Sequence, residues 1–206
     1  MSRFGEEMIY NRQSIRMKHG EVAKLTLKTE SVDVTMWYVI QVMTGTEENI
    51  KRQCEKLIDG EVLERCFIPY YEEKKKYQGN WHLNTKVLFP GYVFLVSEQL
   101  TELRMALHRV LGLTKLIGTG EEILPLSEQE VALLQKMGKD EQVVAMSVGF
   151  IENDRVCILE GPLEGMEGCI KRIDRHKRKA WIEVEMFGRI VEMCVGCEIV
   201  EKRGRN

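Results

Sequence analysis

The chain is 206 residues long and 44 % hydrophobic, with 30 lysines and arginines against 32 aspartates and glutamates. That length allows one or two modest domains with real cores, and the near balance of charge, before residue 139 as after 146, excludes bulk electrostatic binding to arbitrary DNA. No apolar run approaches a membrane span and the first twenty residues lack the hydrophobic core of a secretory signal, so a cytoplasmic protein is expected.

Residues 1–35 are polar, of mixed charge and weakly periodic, and read as a flexible extension. Met36 stands in front of "WYVIQVM" (37–43), whose β-branched and aromatic residues mark a buried strand. "TGTEENIKRQCEKLIDG" then switches to helical spacing, with Ile50, Cys54, Leu57 and Ile58 on one face. Thr44 and Glu47 are spaced for a capping box, and Gly60 for the stop. "VLERCFIPYYEEKKKY" and "WHLNTKVL" read as two strands joined around "QGN", and "FPGYVFLV" as another. An amphipathic helix is expected in "EQLTELRMALHRVLG", a short strand in "LTKLIG", and a second helix in "LSEQEVALLQKMG", capped by Ser127 with Glu130 and closed by Gly138. The order β-α-β-β-β-α-β-α predicts an α+β sandwich over residues 36–138, helices on a largely antiparallel sheet.

Residues 139–147 read as a linker, and 148–203 as short strands between turns: "DRVCILE", "MEGCIKRID", "KAWIEVEMFG" and "RIVEMCVG". So many short strands in about sixty residues predict a small β-barrel. Gly161-Pro162, Gly165 and Gly168 suit sharp bends or close backbone approach, and Ile170 and Ile173 return to the core. This stretch holds no cluster of acid, base or nucleophile. The six cysteines are irregularly spaced and read as reduced thiols. Cys194 and Cys197 have the spacing of a metal or dithiol pair, but zinc would need two more ligands, and Cys157 and Cys169 form no second close pair. Structural cysteines are the expectation, with no metal and no cofactor.

"NDRVCILEGPLEGMEGCIKRID" resembles a KOW motif, the glycine-turned segment of SH3-like barrels in transcription and ribosomal proteins. "WYVIQVMTGTEENIKRQCEKL" followed by "KVLFPGYVFLV" resembles the N-terminal (NGN) domain of the NusG and RfaH transcription elongation factors, and "IEVEMFGR" followed by "VEK" resembles the end of their KOW domain. The resemblance covers residues 37–202 in the family's order. It implies an NGN-type α/β sandwich followed by a KOW barrel, in a factor that binds RNA polymerase and promotes processive transcription without catalysis. Asn153 stands where glycine is usual, and "RIVEMCVG" departs from the Thr-Pro-Val-Glu-Leu of general NusG proteins after their Phe-Gly-Arg. With these departures the chain is most similar to the LoaP branch, antiterminators of long operons associated with a structured RNA leader. RfaH-type refolding of the barrel into helices is not expected, because "KAWIEVEMFGRIVEM" alternates as strand.

The resemblance places Tyr92 and Phe94 against the clamp helices of the largest polymerase subunit, and Leu103, Arg104 and Met105 toward the gate loop, where RfaH factors carry polar His-Thr-Thr. Alternation puts Tyr92 and Phe94 on one strand face and Val93 and Leu95 on the other, and leaves open which pair is core. Candidates for nascent RNA hairpin or non-template DNA are Lys51, Arg52 and Lys56 on the first helix, Lys74, Lys75 and Lys76 with Tyr77 and Trp81, then Lys86, His108 and Arg109. Each has a plainer reading: Lys74–Lys76 follows Glu72-Glu73 as a solvated strand end would, and His108-Arg109 suits a helix C-terminus. "KRIDRHKRKAW" concentrates positive charge at one barrel hairpin, a commonplace polar tip. Met186, Phe187 and Arg189 match the family's partner edge, which takes a small-subunit ribosomal protein or Rho in general NusG proteins, although Gly188 also reads as a turn.

The molecule is expected to be a monomer with no membrane partner. A general NusG factor, or a KOW-type RNA- or ribosome-binding protein, is the rival reading; the latter leaves "WYVIQVM" and "FPGYVFL" unaccounted for. An enzyme fits least, with four scattered histidines, no phosphate-cradling loop and no nucleophile beside a base.

Overall fold

The computed structural model describes residues 36–116, 118–119, 122–123 and 125–203, with backbone alone over 113–124. The expected extension, residues 1–35, lies outside them. The described residues belong to one compact unit.

Alternation in the first strand organises the N-terminal half. β1 (Met36–Val42) sends Tyr38, Ile40 and Val42 to one face and Trp37 and Val39 to the other, and all five are buried. The helix α1 (Glu47–Leu57) lays Ile50, Cys54 and the following Ile58 on the first face, while Leu57 is exposed. Thr44 and Glu47 do not form the expected capping box: Thr46 is the N-cap, without a side-chain bond to the helix N–H groups, its hydroxyl donating instead to the Met43 carbonyl at 2.6 Å. The buried Glu47 carboxylate instead accepts from the backbone N–H groups of Gly45 and Gly91, each at 2.7 Å. It thereby ties the helix start to a loop 44 residues away.

The stretch expected as one strand before "QGN" is two, β2 (Arg65–Phe67) and β3 (Tyr70–Tyr77), because Pro69 has no N–H to continue a ladder. β4 (Asn80–Val87) returns antiparallel to β3 through Gln78 and Gly79, both at positive φ as a type I′ turn requires. β5 (Tyr92–Ser97) follows, then α2 (Leu100–Leu107) and β6 (Leu113–Leu116). A minor hairpin, β7 (Gly118–Thr119) with β8 (Glu122–Ile123), has no counterpart in the sequence expectation. α3 (Glu128–Gly138) carries the expected Ser127–Glu130 capping box. The antiparallel sheet β2-β5-β1-β6 has α1 and α2 on the face of Ile40, Val93 and Leu95. Trp37, Phe67, Phe94 and Val96, on its other face, join Leu134 and Met137 of α3 in a second core.

That second core continues without a break into the C-terminal half. The stretch expected as linker contains β9 (Val143–Val144), which pairs in parallel with β3, and leads into β10 (Ser147–Glu152), a strand the sequence reading did not single out. β11 (Arg155–Glu160), a 3-10 turn at Glu167–Cys169, β12 (Ile170–Asp174), β13 (Lys179–Met186) and β14 (Arg189–Arg203) complete a five-stranded sheet in the order β11-β10-β14-β13-β12. β14 makes the barrel possible: its first half pairs with β13 and its second, from Cys197, runs parallel to β10.

The opening of "MEGCIKRID" is therefore the 3-10 turn, and strand begins only at Ile170. Gly161, at φ 102°, lies against β10, where a Cβ would stand 2.7 Å from the Ser147 Cα. Asn153 and Asp154 both take positive φ in the β10–β11 turn, a conformation asparagine tolerates, so the departure from glycine at 153 is compatible with that turn. Cys194 and Cys197 lie on one strand at an odd separation, so their side chains leave opposite faces. Burial pushes the Cys197 thiol up to about 11.

Candidate interaction faces

Tyr92 and Phe94 stand at the centre of the first candidate site, and the barrel covers them. The β13–β14 turn is Phe187-Gly188, both at positive φ, an uncommon conformation for a bulky residue. It turns the Phe187 ring out of the barrel and onto β5. There it stacks on Tyr92 with ring centroids 4.9 Å apart and meets Phe89 at 5.5 Å and Phe94 at 6.1 Å. Arg189 donates from Nη2 to the Tyr92 hydroxyl at 3.1 Å. The Phe187 backbone N–H donates to the Glu130 carboxylate, whose other oxygen accepts from Ser127. One acid thus caps α3 and anchors the barrel turn. Phe94 has no exposure and Tyr92 is half-buried, so the residues matched to the polymerase contact and those matched to the partner edge occupy each other. Met186 is itself a core residue of the barrel, with no exposure.

The segment matched to the gate-loop contact lies on α2, over the opposite face of the sheet. Leu103 is fully buried among the α1 and α2 core residues, whereas Arg104 and Met105 are exposed.

The cationic candidates fall into two groups. On α1, Lys51 pairs with Glu55 at 2.9 Å, Arg52 donates to the Glu48 carbonyl, and Lys56 is exposed. Gln53 exchanges two hydrogen bonds with Leu111, which brings α1 alongside the segment carrying the exposed His108 and Arg109. The second group sits on the β3–β4 hairpin and faces the barrel. Glu73, without solvent exposure, is met by Lys179 at 2.5 Å, Lys75 at 3.2 Å and Lys86 at 3.6 Å. Glu198 of β14 binds Lys74 at 2.5 Å and Arg178 at 2.9 Å. Lys76, Tyr77 and Trp81 remain exposed near the hairpin end, with the Arg178 guanidinium 3.7 Å over the Trp81 ring.

Sequence reasoning missed Glu73, Glu198, Arg178 and Lys179 as a network, since every pair but the Glu73 contacts with Lys75 and Lys86 joins residues more than 100 apart or strands of unpredicted neighbourhood. The one legible signal was the charge density of "KRIDRHKRKAW". Nothing in these faces resembles a catalytic constellation. Among the described residues no group of three or more His, Cys, Asp or Glu could hold a metal ion, and no helix is long and apolar enough to cross a membrane.

Residues 35–135 match the family model described as transcription termination factor NusG. The chain is 29 % identical over 182 residues to the transcription termination/antitermination protein NusG of Staphylococcus carnosus strain TM300, covering 84 % of this chain and 99 % of that one. It is 29 % identical over 161 residues to the protein of the same name from Halalkalibacterium halodurans, covering 74 % and 90 %. Among solved structures, one concerned with domain interaction in Thermotoga maritima NusG superposes with a TM-score of 0.50 at 24 % identity, over 79 % of this chain and 94 % of that one. That likeness is one of fold.

Proposed function

We propose, from the match of residues 35–135 to the NusG family model and the 29 % identity to NusG proteins, that the chain is a NusG-family transcription termination/antitermination factor that binds RNA polymerase through the β5 face of Tyr92 and Phe94. The observation that carries this reading is the aromatic cluster Phe89, Tyr92 and Phe94, met from the barrel by the Phe187 ring and by Arg189. Aromatic residues of this kind dominate interface energies and are costly to leave in water. A face closed by one stacked ring and one arginine is one that a better partner can open. Binding of the clamp helices then requires the barrel turn to leave β5, freeing Phe187 and Arg189 for a ribosomal protein, Rho or another partner of the barrel. Arg104 and Met105 are available for a second contact, and Lys56, His108 and Arg109 for nucleic acid, with no chemical step asked of the chain.

Transcription with purified polymerase on a terminator template tests this. Added chain should change the readthrough fraction with a dose that saturates near one chain per polymerase, and Tyr92→Ala should lose most of the change; an unaltered termination pattern with wild-type chain contradicts the reading.

We infer further that the action is selective, as in the LoaP branch, with recruitment by an RNA element to a few long operons. The departures after Phe187-Gly188-Arg189 support this. Crosslinking with sequencing in the native cell should give signal confined to one or a few operons. Signal over every transcribed gene would identify a general NusG factor instead.

A further inference from the structure

Cys54 and Cys66 meet in the layer between α1 and the sheet. Cys54 lies on the helix face that carries Ile50 and Ile58 and has no exposure. Cys66 is the middle residue of β2 and is 5 % exposed, while its neighbours Arg65 and Phe67 lie together with Trp37 on the other side of the sheet. The two thiols hydrogen-bond to each other.

That bond makes the two sulfurs unequal. Accepting from Cys66 holds the Cys54 thiol below its ordinary 9.0, against burial and the nearby Glu55 carboxylate. The same bond, with burial, pushes Cys66 far up. Cys197 shows what burial does by itself: it has no exposure, and its thiol rises to about 11. The first proton to leave the pair therefore leaves a thiolate on Cys54 beside a protonated Cys66, the division of labour between an attacking and a resolving thiol. The position also admits a small reagent. β2 is three residues long and lies at the edge of its sheet, paired with β5 alone. The turn leading into it exposes Asp59, Gly60 and Glu61. Segments with so few backbone partners open locally at low cost.

We propose that Cys54 and Cys66 form a reversible disulfide on reaction with a hydroperoxide, stapling the last turn of α1 to the sheet edge. The Cys54 thiolate attacks one oxygen of hydrogen peroxide; the O–O bond breaks, and the departing hydroxide takes back the proton that Cys54 gave up, leaving water and a Cys54 sulfenic acid. The Cys66 sulfur then attacks the Cys54 sulfur. The S–S bond forms as the S–O bond breaks, and the leaving hydroxide carries off the Cys66 proton as a second water. Two electrons pass from the paired sulfurs to the peroxide, and a dithiol reductant returns them. The pair lies on the face of the sheet opposite Phe94, so the inference does not rest on the polymerase reading.

Peptide mass mapping of the full chain after brief exposure to a stoichiometric amount of hydrogen peroxide tests it. Folded wild-type protein should yield a cross-linked peptide joining Cys54 and Cys66, two hydrogens lighter than the reduced pair. It should form at least about tenfold faster than any oxidation product of Cys157, Cys169, Cys194 or Cys197, and dithiothreitol should remove it. In Cys66→Ala the sulfenic acid formed at Cys54 has no resolving thiol and should be trapped by dimedone, whereas Cys54→Ala should take no label at Cys66. The linked wild-type chain should unfold at a higher urea concentration than the reduced chain. Oxidation of the other four cysteines ahead of this pair, no cross-linked peptide from folded wild-type chain, a dimedone label at Cys66, or a urea midpoint lowered by the bond would each overturn the proposal. The mapping and the urea midpoint use wild-type protein, so they decide the matter even where a substituted chain fails to fold.

Discussion

Glu73 is a carboxylate without solvent exposure whose cationic neighbours come from both halves of the molecule: Lys75 and Lys86 from its own hairpin, Lys179 from the barrel. Burial pushes its pKa up, but Lys179 and Lys75 outweigh burial and hold it below the ordinary 4.5. Lys179 responds in the opposite sense: burial lowers its pKa, and Glu73 raises it to a net value above 10.5. For an acid whose folded pKa is depressed, the stabilisation is complete above the unfolded value and is lost as pH falls through the folded one. For a lysine whose folded pKa is raised, it is complete below the unfolded value and lost as pH rises through the folded one. Docking of barrel on hairpin is therefore expected to hold between these limits and weaken below pH 4.5. Hydrogen exchange of β13 amides between pH 7 and 3, analysed for opening free energy, checks this, and Glu73→Gln should flatten the acid limb. Gly196 belongs to the same contact, since a Cβ there would collide with the Glu72 carbonyl and the Met146 sulfur. Gly196→Ala is expected to cost about 1–3 kcal/mol in urea unfolding, the range of an overpacked core.

Among the elements, α3 links local and long-range structure. Its capping box is worth about 1 kcal/mol, so Ser127→Ala should lower stability by that amount. Glu130→Ala should cost more, because the same carboxylate holds the Phe187 N–H; a urea midpoint no lower than that of Ser127→Ala would contradict the double role. The box could be read in the sequence because both partners lie within four residues. So could the sandwich strands, where alternation from Trp37 to Val42 and from Tyr92 to Ser97 reports two buried faces. The failed box at Thr44 has the opposite cause: Glu47 finds Gly91, a partner that only the tertiary fold supplies. β9 went unseen because a two-residue parallel pairing to β3 leaves no periodic trace. In the candidate face, alternation named Tyr92 and Phe94 together, yet nothing local to β5 records that Phe187, 95 residues on from Tyr92, would cover them.

At the scale of the whole molecule, sandwich and barrel share one core, and the charge network and the aromatic stack are two separate clasps between them. The stack closes the face assigned to polymerase, whereas the network lies at the hairpin. A protein opened at the stack alone should keep its fold while exposing the Tyr92 ring, with Phe94 still packed on Phe67 and Phe89. The affinity of core RNA polymerase for wild-type chain and for Phe187→Ala, compared side by side, measures this directly. The variant is expected to bind at least about tenfold more tightly, because a closed population of nine-tenths or more is removed from the competition. Equal affinity of the two proteins, or no binding by either when both are folded, would contradict it.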